Sequence, residues 1–231
     1  MGTPSGGYFN AAGQKVPSVT TVIGRFKDSG GLIKWAYRQG TEHENLRSRG
    51  LPAPANLYDV VQVAATAGSI AHDLIEQHII TGEVQVDVLD GWKSATEQVQ
   101  GRARNCYLQY QRWRKQTNIT IDRTETGGVS ELYQYGGTFD GLGRNAEGEL
   151  VLIDWKTSNA VYGDYLIQLA AYDQINFEKT GERVKEFHLL RMAKLSADFA
   201  HHSWTDLADG LRAFVLMREL YQLTHDLGKR A

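Results

Sequence analysis

Apolar residues recur every three or four positions from Tyr58 to Ile80, in YDVVQVAATAGSIAHDLIEQHII, and the pattern stops at Thr81-Gly82. Good helix formers at that spacing predict a long amphipathic helix. The period returns from Trp92 to Gln116, where Trp92, Ala95, Val99, Cys106, Tyr110 and Trp113 form one stripe. Arg102, Arg104, Arg112, Arg114 and Lys115 fall outside it, on what reads as a solvated face. Upstream, GLIKWAYRQG predicts a short helix ending at Gly40, and TEHENLRSRGLPAPANL, broken by Pro52 and Pro54, predicts a loop. The opening GYFNAAGQKVPSVTTVIGRF reads as an extended piece, a glycine turn and a helical stretch capped by Ser18 or Thr20. After residue 120 the period shortens. GGVSELYQYGGTFDGLGR and ELVLIDWKT, joined by NAEG, predict a strand meander. GDYLIQLAAYDQINFEKTG is helical up to Gly181, RVKEFHLLRMAK is a strand, and FAHHSWTD a strand able to pair with it. DLADGLRAFVLMRELYQLTHDLG is a last helix, capped by Thr205 or Asp206 and ended by Gly228. The order predicts an α/β (α+β) fold with a central mixed sheet flanked by helices and an N-terminal helical portion. One domain over 1–231 is expected, mainly helical over 1–120, with the sheet and C-terminal helices in 121–231.

Composition narrows this picture. A chain of 231 residues, 42% hydrophobic, can bury one sizeable core. A formal charge of -2 supplies no global field for a polyanion, so any nucleic-acid contact needs a local basic groove or a bound cation. The single cysteine, Cys106, excludes an internal disulfide framework and a four-cysteine cluster from this chain, and fits a reducing compartment. The start MGTPSGGYFN lacks a basic and an apolar leader region, and no run reaches membrane-spanning length. The expectation is a soluble protein without membrane contact, cytoplasmic, with an organellar matrix also fitting.

The candidate chemistry lies in VLIDWKTS, residues 151–158. Strand alternation puts Asp154 and Lys156 on one side, with Ile153 and Trp155 on the other, toward a core. A hairpin brings Asp140, from GGTFDG, beside Asp154. Two adjoining carboxylates repel unless a hard cation such as Mg²⁺ or Mn²⁺ neutralises them, and Glu131, on the strand entering the meander, is a further ligand candidate. An acid-x-Lys triplet alone arises by chance about once in one to two hundred residues, and an ion pair at a strand end is an equally ordinary reading.

The ordered set GSIAH, Glu131, GGTFDG, VLIDWKTS and QLAAY resembles the PD-(D/E)xK nuclease superfamily, in its RecB-type exonuclease branch. PSVTTVIG and GLIKWA extend the likeness to mitochondrial genome maintenance exonucleases and phage-encoded relatives, over about residues 16–172. The resemblance implies a restriction-endonuclease-like core that cuts DNA phosphodiesters with Mg²⁺ or Mn²⁺, acting on single strands or free ends. Asp140, Asp154, Lys156 and Glu131 would be catalytic, and Asp140, Asp154, His72 and the Trp155 backbone carbonyl would hold metal. Gln168, Tyr172, Thr157, Ser18 and Thr20 would touch nucleic acid. His72 closes a G-x-x-x-H motif begun at Gly68, and Glu76 shares its face, as a ligand or a solvated charge. Some relatives carry an iron-sulfur cluster, which this chain cannot bind with one cysteine. Replication or recombination proteins are natural partners for such an activity, and oligomeric state is open. A restriction-like or junction-cutting endonuclease and a non-catalytic subunit of nuclease fold also fit, although the intact Asp140, Asp154 and Lys156 set favours an enzyme. His78, His201 and His202 are not read as ligands.

Overall fold

Seven residues at the end of the meander set the architecture. Leu150–Lys156 (β5) is apolar on both faces, so it must be covered on both. In the computed structural model, which describes residues 4, 6–54 and 56–230, it is the central strand of five. Thr120–Ser130 (β3) and Tyr135–Arg144 (β4) form an antiparallel pair, and β4 pairs antiparallel with β5. Glu186–Met192 (β6) runs parallel to β5, and Phe199–Trp204 (β7) closes the order 3-4-5-6-7 antiparallel to β6. A parallel neighbour requires a crossover, supplied by the helix Gly163–Thr180 (α6). The β4–β5 turn is fixed by Asn145, whose Oδ1 accepts the amides of Glu147 and Glu149, and by Gly148 at φ +80°. No helix among the described residues is long and apolar enough to cross a membrane.

The two faces carry separate cores. Leu150 and Leu152 pack with α6, with the helix Val19–Phe26 (α1) and with the helix Ala208–Gly228 (α7). Val151, Ile153 and Trp155 pack against the helices Leu57–Thr81 (α3) and Glu97–Arg114 (α5). α3 has the predicted extent: Asn56 caps it and Gly82, left-handed at φ +78°, ends it. Ser18, of the two candidates, caps α1 by accepting the Thr21 amide at 3.0 Å. At the other end of the chain Asp206, rather than Thr205, accepts the Ala208 amide at the start of α7. The opening extended pieces are the short hairpin Tyr8–Phe9 (β1) and Lys15–Val16 (β2).

Three boundaries, and the place of Glu131, differ from those the sequence predicts. The second helix, Gly30–Ser48 (α2), passes through Gly40 and is terminated just before Gly50, left-handed at φ +67°. Its second half has no apolar stripe, yet Glu, Leu and Arg sustain a helix and an interior glycine costs only about 1 kcal/mol. The single helix expected over 92–116 is two, Asp90–Lys93 (α4) and α5, because Thr96 accepts the Val99 amide and starts a new helix. β3 begins seven residues before Gly127. Glu131 is accordingly not on a strand: it lies exposed in the tight turn between β3 and β4.

One ring pair in the sheet has a pH consequence. His188 Nδ1 lies 2.9 Å from His201 Nε2, so the two imidazoles share one proton and cannot both be charged. His188 Nε2 meets Glu186, and the His201 ring meets the edge of Trp113. Burial, then the neighbouring His188, pushes His201 down to about 4, and burial also lowers His188. Both folded values lie below the unfolded value of about 6.5. The stability they confer is therefore complete above pH ~6.5 and lost as pH falls toward 4. Urea midpoints should drop between pH 7 and pH 4.5, and His201→Gln should flatten that drop.

Candidate metal centre

The site begins where the β4–β5 ladder stops. The last pair is Gly141↔Ile153, so Asp140 and Asp154 face the opened gap. There Asp140 Oδ2 replaces a ladder carbonyl, accepting the Trp155 amide at 2.7 Å. The side chains of β4 also change sides at this point. Tyr135 and Phe139 enter the α6 core and so does Leu142, while a Cβ on Gly141 would touch Trp155 at 3.4 Å in the opposite core. On β3, Glu125 falls opposite Asp140 but is skipped by the ladder, which pairs Thr124 with Gly141 and Thr126 with Phe139. Its φ of +45° is left-handed, an uncommon state for a residue with a Cβ, of the kind that concentrates at functional sites.

This paired kink brings Glu125 and Asp140 to α3. His72 Nδ1 is 3.5 Å from Asp140 Oδ1, and His72, Glu125 and Asp140 each offer one ligand atom within 4.8 Å of the others. Gly68, one turn before His72, explains the G-x-x-x-H spacing: a Cβ there would lie 2.8 Å from Thr157 Oγ1, so only glycine lets α3 sit against the end of β5. Asp154, 2% exposed, has Oδ2 at 2.6 Å from Lys156 Nζ. That oxygen is paired in charge but lacks an aligned hydrogen bond. Lys156 Nζ also lies 5.0 Å from the centre of the Tyr165 ring.

Burial and neighbouring charges shift the acids of the group. Burial, then the Asp140 charge, pushes Glu125 up to about 7. Burial likewise raises Asp154 to about 6, against the pull of Lys156. Asp140 also suffers from burial, but His72, Lys156 and the Trp155 amide together hold it below the usual carboxylate range. Among the described residues, the Glu125, Asp140 and Asp154 carboxylates lie with the Lys156 ammonium and the His72 imidazole, and one nitrogen and several carboxylate oxygens suit Mg²⁺ or Mn²⁺. His72, Glu125 and Asp140 could hold it, with the underpaired Asp154 Oδ2 beside them.

The other expected site residues divide by position. Gln168 Nε2 donates to Tyr172 Oη at 2.7 Å, as i and i+4 on one face of α6. The Tyr172 ring is buried against Phe139 and under Gly137, and it borders a cavity of about 1280 Å³ over the cluster. Ser18, Thr20 and Thr157 line the same cavity. The Ser18 hydroxyl is engaged in capping α1, while Thr20 is exposed. The Trp155 side chain packs between Tyr110 and Trp113, as alternation requires. Glu76 is close enough to raise the pKa of Glu125. Glu131 is not brought to the group: it lies just past the end of β3, six residues along the chain from Glu125, and its carboxylate accepts the Ala11 amide at 2.9 Å. Glu125, which does join the group, gave no apolar alternation in TIDRTET, and its signal was its register opposite Asp140 once β3 is extended back to Thr120.

No family model matches the chain, and no curated protein matches it. Among solved structures it aligns with a Eubacterium rectale protein that carries the name of an exonuclease, at 16% identity and TM-score 0.47, over 68% of this chain and 65% of that one. It also aligns with a repair endonuclease from Pyrococcus abyssi, at 20% identity and TM-score 0.27, over 39% and 37%. The chain thus spans less than two thirds of either protein, and likenesses of this size leave its chemistry to be read from its own residues.

Proposed function

We propose that this chain is a divalent-cation-dependent deoxyribonuclease of the PD-(D/E)xK kind, RecB-type, that hydrolyses phosphodiester bonds from free or single-stranded DNA ends with little sequence preference. The observation that carries the reading is the meeting of His72, Glu125 and Asp140 within 4.8 Å, next to the buried Asp154–Lys156 pair at 2.6 Å. A bound Mg²⁺ or Mn²⁺ would polarise the phosphate and lower the pKa of attacking water. Around it, Asp140 is held in aim by the Trp155 amide, and His72 is oriented by Asp140. Lys156 sets a fixed positive charge where the phosphate gains negative charge, and Asp154 fixes that ammonium in place. The Trp155 carbonyl completes the proposed ligand set. The groove above has room for a nucleotide, and contacts through a cation and backbone phosphates read no base.

The test is digestion of end-labelled linear single-stranded, linear duplex and circular single-stranded DNA with Mg²⁺. Linear substrates should be shortened from their ends and circles left whole. Asp154→Asn and Lys156→Met should each slow digestion by about 10²–10³-fold, the usual loss for one charge-stabilising group. Variants as fast as the parent would contradict the assignment, and cut circles would make the enzyme an endonuclease.

A further inference from the structure

The far wall of the same cavity holds two cations that the chemistry above leaves unused. Arg102 comes from α5 and Lys194 from the segment after β6, and both line the cavity with Thr157. Arg102 Nε is buried with no hydrogen-bond partner among the described residues. Lys194 Nζ donates to the Thr157 carbonyl and to Thr157 Oγ1. Burial depresses its pKa, and the Arg102 charge adds to this.

The lysine is held there by the packing of its segment. Gln109 and Asn105 on α5 both donate to the carbonyls of Ala193 and Ser196, and the Ala193 amide donates back to Gln109 Oε1 at 3.1 Å. Lys194 is thus fixed in a partly dry wall within reach of the Arg102 charge, and two like charges lining one cavity are unfavourable until an anion arrives. Position says which anion. A Cβ on Gly68 would lie 2.8 Å from Thr157 Oγ1 and 3.9 Å from Lys194 Nζ. His72 is four residues further along α3, roughly 6 Å by helical rise. The spacing is about one nucleotide step from the metal group.

We propose that Arg102 and Lys194, with the Thr157 hydroxyl, form a phosphate-binding subsite for the nucleic-acid phosphate next to the one being cut. The subsite rests on the nuclease reading above and adds residues to it. The phosphate is either an internal diester or the monoester of a chain end. Arg102 Nε has no bond to lose among the described residues, so Arg102→Gln should fold as the parent does, whereas Lys194→Gln also breaks the tie to Thr157. Arg112, on the outer part of the same helix and away from the cavity lining, is the control for general surface charge.

The experiment is fluorescence anisotropy of a 3′-labelled oligo-dT carrying a 5′-phosphate or a 5′-hydroxyl, with Ca²⁺ in place of Mg²⁺, across a salt series. Arg102→Gln should bind about tenfold more weakly and lower the slope of log affinity against log salt by about 0.7, the value for one single-strand phosphate. Arg112→Gln should change neither. An effect of Arg102→Gln on both oligonucleotides identifies an internal phosphate, and an effect confined to the 5′-phosphorylated one identifies a chain end; both support the subsite. If the parent cuts DNA in Mg²⁺ and Arg102→Gln keeps its affinity and slope, the subsite falls and the nuclease reading stands. If the parent neither binds nor cuts, both fall.

Discussion

Glu125→Gln is expected to lower Mg²⁺-dependent DNA digestion by at least about 100-fold, while Glu131→Gln digests at the parental rate. The two glutamates lie six residues apart, and sequence order alone favours the second. The kink at Asp140 and the left-handed backbone of Glu125 reverse that preference, placing Glu125 within ligand distance of His72 and Asp140. Losing one anionic ligand weakens the stabilisation of charge on the phosphate, where single groups are worth about 10²–10³ in rate. Folding should not suffer. Burial and the Asp140 charge push the Glu125 carboxyl up to about 7, and glutamine keeps its size and shape. The checks are initial digestion rates and thermal midpoints in EDTA. A fast Glu125→Gln, or a Glu131→Gln equally slow, would place the cation elsewhere.

The largest effect on stability is expected at Trp113. It is 2% exposed, and its ring centre lies 5.7 Å from that of Trp155, 6.0 Å from Tyr110 and 5.5 Å from His201. Removing a buried aromatic of this size costs about 3–5 kcal/mol, so Trp113→Ala should leave the chain near its unfolding threshold at room temperature. Trp113→Phe should behave differently. The indole N–H is buried with no hydrogen-bond partner among the described residues. An unsatisfied donor carries a penalty of about 1–3 kcal/mol, and phenylalanine removes it while keeping most of the ring. Urea midpoints at constant m-value decide the matter: a phenylalanine variant as unstable as the alanine variant would mean that packing volume alone governs the position. The same cluster supports the His72–Glu125–Asp140 group, because Trp155 lends its backbone amide to Asp140.

What the sequence disclosed follows from what each residue had to satisfy. β5 was legible because a short run apolar on both faces has to be a covered strand, and Asp154 and Lys156 inside it have to be paired or put to use. α3 was legible because its stripe, cap and terminal glycine agree. The helix α6 and the pairing of β6 with β7 followed from period and length. The second half of α2 was not legible, since it buries only His43 and leaves no periodic mark. Nor was the break at Thr96, where one side-chain oxygen outweighs a continuing apolar stripe. Asp140, His72 and Asp154 were singled out through motifs, and the backbone brings them to one end of the sheet. Glu125 needed knowledge that two strands bend together at one register position. Arg102 looked like one more solvated arginine on a basic helix, and only the fold shows that it lines the groove.

The central claim is that these carboxylates gather to hold a divalent cation. Titration of the intact chain with Mn²⁺, followed by electron paramagnetic resonance of the free ion, measures it directly. The parent, Lys156→Met and Glu131→Gln should bind Mn²⁺ and release it to excess Mg²⁺. Asp140→Asn and Glu125→Gln should bind at least about tenfold more weakly. Mn²⁺ bound by Asp140→Asn as tightly as by the parent, or bound by neither, would contradict the account.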